Sequence, residues 1–154
     1  MFSRNYLEDK NKIIIIDFGS QVTKLIARRI RDLRVYCEIL NLREFEKLKD
    51  FDEIKGIILS GGPSTVTKKT YPKISKKIFE KNIPVLGICY GLQLIAKIFG
   101  GKIKKSQKKR EFGEAVLIEK SKSQLFKNFY IKKKSKVWMS HEDAVSKLPK
   151  NFQN

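Results

Sequence analysis

The chain has 154 residues, of which 41% are hydrophobic, and a formal net charge of +18 at pH 7. That length suits one domain, and the apolar share is enough for a single core, which argues against disorder throughout. No apolar run approaches the length of a membrane helix, and the first residues lack the hydrophobic segment of a secretory signal. The two cysteines, Cys37 and Cys89, make no disulfide framework, so free thiols in the cytoplasm are expected. The charge raises nucleic acid as a partner. Against it, the basic residues are mostly Lys spread over the whole chain, with Arg only at positions 4, 28, 29, 31, 34, 43 and 110. Base reading favours Arg forks, so a solvated cationic surface is the simpler account.

After a flexible start over residues 1–11, Lys12–Asp17 (KIIIID) is a continuous apolar run, as in a strand buried on both faces. Val22, Leu25, Ile26, Ile30 and Leu33 recur at helical spacing, which predicts a helix over 21–33. Strands are predicted at Val35–Leu40 and Gly56–Ser60, with a short helix at Glu44–Leu48 between them. Ile74, Ile78 and Phe79 mark another helix. Pro84 opens a strand that runs into Cys89, and a helix from about Gly91 to Phe99 stops at Gly100-Gly101. Alternating strands and helices imply right-handed crossovers and a mostly parallel sheet with helices on both faces. From Lys102 the pattern changes. Lys102–Lys105, Ala115–Glu119 and Lys136–Ser140 read as shorter strands of a small antiparallel extension. Trp138, Phe112 and Phe99 read as core, and Cys37, inside a predicted strand, also reads as core.

Gly87-Ile88-Cys89-Tyr90-Gly91 has the spacing of a nucleophile elbow between a strand and a helix. Glycines two residues either side clear room for a sharp turn that lifts the side chain above the sheet. The following helix points its amino end at the sulfur, which favours an anion there, and its free N–H groups suit an oxyanion. A cysteine ending an apolar strand is also often a small core residue, and the pentapeptide alone leaves both readings open. Ser60-Gly61-Gly62-Pro63 follows another buried strand, and paired glycines let backbone amides approach a ligand. Two such corners side by side are what acyl transfer needs.

DFGSQ (17–21), ARRIRDLRVYCE (27–38), GIILSGGPS (56–64), GICYGLQ (87–93), REFG (110–113) and VWMSH (137–141) together resemble the class I glutamine amidotransferases. Within them, the set resembles the amidotransferase domains of GMP synthases. The resemblance implies a flavodoxin-like α/β fold that is incomplete at its C-terminus. It implies Cys89 as nucleophile toward the glutamine side-chain amide, and Gly62 and Tyr90 as oxyanion-hole amides. It implies Gln93 as a glutamine-holding residue, with Ser140, His141, Glu142 and Asp143 as the loop at the substrate's amino-acid end. Ammonia would pass to an ATP-pyrophosphatase (synthetase) domain, on the same or a separate chain, that uses ATP and magnesium to aminate xanthosine monophosphate. No cofactor or metal is expected in this domain, and the parent enzyme is expected to be a homodimer.

The sequence departs from the pattern twice. The family's catalytic histidine lies in a later F-H-P-E segment, so His141, the one histidine here, is expected to be a substrate-side residue and the isolated chain to lack glutaminase turnover. Glu142 stands where a glycine is usual, and a carboxylate there is expected to weaken glutamine binding. Two alternatives stand beside this reading. Another cysteine hydrolase of the same fold would commonly carry a histidine directly after the nucleophile, where Tyr90 stands. A noncatalytic basic domain would show steeply salt-dependent DNA binding.

Overall fold

A computed structural model describes residues 11–105, 111–120, 122–127, 129–141 and 143–153, and only the backbone of 111, 112, 140 and 141. The flexible start expected at 1–11 falls, but for Asn11, outside them.

Four parallel strands form the central sheet in the order β2-β1-β3-β4, with β1 at Lys12–Asp17, β2 at Cys37–Asn41, β3 at Ile54–Leu59 and β4 at Val85–Gly87. β1 lies inside the sheet, so both of its faces must be covered, and Ile14, Ile15 and Ile16 are all 0% exposed. Their alternation divides the core in two. Ile15, with Ile58 and Cys37, meets Ala27, Ile26 and Ile30 of α1 (Thr23–Asp32). Ile14 and Ile16, with Ile57 and Leu59, meet Tyr90, Leu94 and Ile95 of α3 (Tyr90–Ile98) and Phe45 of α2 (Leu42–Glu46). Helices therefore cover both faces. Cys37 is core, with its thiol directed at the Ala27 carbonyl oxygen 3.6 Å away.

Several boundaries move for local reasons. β2 begins at Cys37 because Arg34 turns the chain at a positive φ of 60°, leaving Val35 and Tyr36 partly outside. α2 starts earlier than its apolar residues suggest because Asn41 and Glu44 make a reciprocal capping box. The segment with Ile78 and Phe79 is a 3-10 helix, Lys76–Lys81, capped by Ser75 and ended by left-handed Asn82.

Beyond α3 the chain leaves the parallel sheet. β5 (Lys102–Lys105) pairs antiparallel with β8 (Asp143–Lys147), a strand the sequence reading does not assign and whose first residue, Asp143, the resemblance puts in a loop. β6 (Glu111–Ile118) and β7 (Lys134–His141) form a separate ribbon, longer than the segments predicted there. Trp138 is not core: it is 79% exposed on the ribbon's outer face, opposite Glu114. The alternation of β7 places Val137 and Met139 inward and Trp138 outward, and a lone apolar residue cannot choose between those faces. Phe99 packs against the core and against Phe79, with ring centroids 4.9 Å apart, while the side chain of Phe112 lies outside the described residues. No helix among the described residues is long and apolar enough to cross a membrane.

Candidate active site

The turns that follow β1, β3 and β4 meet at the carboxyl edge of the sheet, where parallel α/β folds place their sites. After β1, the Asp17 carboxylate accepts from the amides of Gly19 (2.9 Å) and Ser20 (3.2 Å) and from the Thr23 hydroxyl (2.8 Å), which fixes the turn into α1. After β3, fully buried Ser60 accepts from the Phe18 amide at 3.1 Å and donates to the Gly61 carbonyl oxygen at 2.9 Å. One hydroxyl thereby ties the first corner to the second.

The third corner carries Cys89. Its backbone stands at φ 51° and ψ −109°, outside the ordinary regions for a side-chain-bearing residue, and strain of that kind costs roughly 1–3 kcal/mol. The flanking glycines explain how the turn is possible. A Cβ on Gly87 would lie 2.6 Å from the Leu92 nitrogen, and one on Gly91 would lie 2.2 Å from the Leu59 carbonyl oxygen. The elbow is pressed onto the end of β3, with the Ile88 amide donating to Leu59 O at 2.9 Å and the Gly91 amide to Ser60 O at 3.1 Å. The result is a thiol that is exposed rather than sealed in the core.

Gly61 closes the gap between corners. A Cβ on it would stand 3.5 Å from the Cys89 Cβ and 3.4 Å from Ser20 Oγ, so all three turns share one small volume. Gly62 is forced by the first corner, since a Cβ there would meet the Phe18 carbonyl oxygen at 2.4 Å. The Tyr90 amide is the first of α3 and has no acceptor one turn back within the helix. The Tyr90 side chain is committed elsewhere. It is 2% exposed, packs its ring at a tilt against Phe18 with centroids 5.1 Å apart, and donates its hydroxyl to the Pro72 carbonyl oxygen. Burial, with Tyr71 nearby, pushes its phenol up to about 12.

Gln93 lies one turn past Cys89, nearly buried, with its amide Nε2 donating to the Asp143 main-chain oxygen at 3.3 Å. Asp143 opens β8, and its carboxylate accepts from Thr65 in the loop after Gly62. Gln93 and Asp143, fifty residues apart, are therefore in direct contact beside the elbow. Ser140 and His141 end β7 opposite Phe112 and Glu111, and Glu142 lies outside the described residues. Thr65 belongs to this site although no sequence motif includes it, while Asp17 and Ser60 lie in motifs that give them no stated role. The hydroxyl-rich Ser64-Thr65-Val66-Thr67 after a paired glycine is the available signal for Thr65.

Among the described residues no cluster of three or more His, Cys, Asp or Glu could hold a metal ion. A groove of about 520 Å³ lies elsewhere, at the end of β6, between Leu117, Lys120, Phe126 and Tyr130. It reaches neither cysteine, and the chemistry of the corner above does not depend on it.

The chain is 50% identical over 147 residues to the GMP synthase [glutamine-hydrolyzing] of Spiroplasma kunkelii, covering 95% of this chain and 28% of that protein. It is 48% identical over 150 residues to the GMP synthase [glutamine-hydrolyzing] of Wolinella succinogenes, with the same coverages. The chain thus spans little more than a quarter of the length of these curated relatives. A solved structure of a putative GMP synthase subunit from Thermoplasma acidophilum superposes with a TM-score of 0.71 at 31% identity, covering 93% of this chain and 70% of that one. A Thermotoga maritima glutamine amidotransferase, at 21% identity and TM-score 0.66, shares the fold. The model of the family described as Glutamine amidotransferase class-I matches residues 14–154. That match takes in all three corners, and this chain belongs to the class I glutamine amidotransferase family.

Proposed function

We propose that this chain is the glutaminase part of a GMP synthase and that Cys89 opens the side-chain amide of glutamine. The observation that carries the reading is the exposed Cys89 thiol on a strained elbow, with the Gly61-Gly62 turn packed against its Cβ. The Cys89 sulfur adds to the amide carbon, and the negative charge that develops on the amide oxygen is met by the backbone N–H groups of Gly62 and Tyr90. The C–N bond then breaks, the thiol's proton leaves with the nitrogen as ammonia, and a glutamyl thioester remains. Water releases glutamate from that thioester and returns the proton to sulfur. By the resemblance, the base that carries this proton belongs to a His/Glu segment of the family, and Ser140, His141, Glu142 and Asp143 correspond to its loop at the substrate's amino-acid end.

Ammonia so formed serves an ATP-using synthetase partner that aminates xanthosine monophosphate in the cytoplasm. The names and greater length of the relatives support this assignment. The test is protection of the thiol. Iodoacetamide should label Cys89 in the free chain at a rate that millimolar glutamine lowers at least fivefold and asparagine leaves unchanged. Equal rates with and without glutamine would remove the reading.

A further inference from the structure

Thr65 has no role in the reaction just described, yet its hydroxyl reaches across 78 residues of sequence to the Asp143 carboxylate. The Thr65 hydroxyl donates to Asp143, so its single proton is committed there. The Thr67 hydroxyl, 2.7 Å from Thr65 Oγ1, must then be the donor in that pair, and the Thr67 amide adds a second donor at 3.2 Å. Val66 between them is 1% exposed, which anchors the loop in the core next to the hydroxyl. The chain of bonds continues through Asp143 itself, whose main-chain oxygen accepts from Gln93 Nε2.

We propose that Thr65 is a positioning residue for the site, clamping three segments into one geometry. The Gly62 turn comes from the end of β3, Gln93 from the helix that carries Cys89, and Asp143 from the strand that follows the His141 end of β7. The hydrogen bonds of the Thr65 hydroxyl go to Asp143 and Thr67. Thr65 acts through Asp143, so that the Gly61-Gly62 turn stays packed against Cys89 only while the start of β8 is docked. By reciprocity, a ligand that settles the start of β8 also settles the oxyanion turn. The inference rests on the roles proposed above for Cys89 and Gly62.

The test uses the chain with Thr65→Val, which keeps shape and deletes the hydroxyl, and with Thr65→Ser, which keeps the donor. Amide hydrogen exchange over residues 61–67 should speed roughly tenfold in Thr65→Val, the size expected for a lost hydrogen bond to a charged group. Exchange inside β1 and β3 should not change, and Thr65→Ser should restore the slow rate. Should Thr65→Val fail to fold, Asp143→Asn makes the same comparison with a weaker acceptor and a smaller acceleration. Unchanged exchange at 61–67, or no restoration by serine, overturns the clamp. Glutamine protection of Cys89 is read in the same samples. Its absence in the unsubstituted chain removes the glutaminase reading, while the exchange response alone decides the clamp.

Discussion

The parallel sheet and the β6–β7 ribbon handle apolar residues in opposite ways. In the sheet, β1 is wrapped by helices on both faces, and each isoleucine from 14 to 16 is fully buried. In the ribbon, one face is half-buried, while the other presents Val116, Ile118 and Trp138 at 52, 64 and 79% exposure among Lys134, Lys136 and Glu114. Similar residue types thus contribute much to stability in the first region and little in the second. The difference teaches where the site's precision comes from. Cys89 sits on the corner of the region that cannot yield, and a close-packed interior transmits strain rather than absorbing it.

Substitutions at glycine should break the two regions apart most clearly. Gly91→Ala would drive a methyl into the Leu59 carbonyl oxygen, and the elbow has no flexible neighbour to move. We expect a loss of about 3 kcal/mol or more, read as a collapse of the urea midpoint or as failure to fold. Gly113→Ala in the ribbon meets no atom within 4 Å and suffers only from its φ of +114°, which should cost about 1 kcal/mol. Equal losses would mean that the two regions are equally rigid.

Truncating large apolar side chains sharpens the same contrast. Ile15→Ala should cost about 2–5 kcal/mol, because the cavity lies between β1 and α1 where nothing can collapse into it. Trp138→Ala should change stability by no more than about 0.5 kcal/mol. Trp138 is also the only tryptophan, so its emission should be that of a solvated indole before denaturant is added and should shift little on unfolding.

The smallest loss expected on the sheet side of the comparison is at Tyr90. Tyr90→Phe leaves the Pro72 carbonyl oxygen without its donor and should cost about 1–2 kcal/mol near pH 8. The folded phenol holds its proton up to about 12 against an ordinary value of 10, so the tyrosine's advantage is complete below pH 10. It is lost as pH rises from 10 through 12, and the two stability curves should converge there. Parallel curves would place the hydroxyl in solvent.

Much of this contrast is legible in the sequence, for physical reasons that differ along the chain. KIIIID and the glycine-flanked Cys89 are over-determined, since a two-faced strand and a sharp elbow each admit few residue types. β8 escapes a local reading because DAVSK buries little and becomes a strand only through pairing of Val145 with Ile103. Trp138 reads as core and is not, because hydrophobicity does not say which face of a two-stranded ribbon is covered. The hydroxyl-rich run at 64–67 marks Thr65 as polar, but its pairing with Asp143 depends on tertiary placement and is not written in either segment.

The positive φ of Cys89 has a consequence for how such a chain changes over generations. Glycine would relax that corner, so Cys89→Gly should fold more stably than the unaltered protein. The thiol is therefore kept against a standing pull toward its own loss. A lineage released from the need for it should drift to glycine at this position before the surrounding core decays.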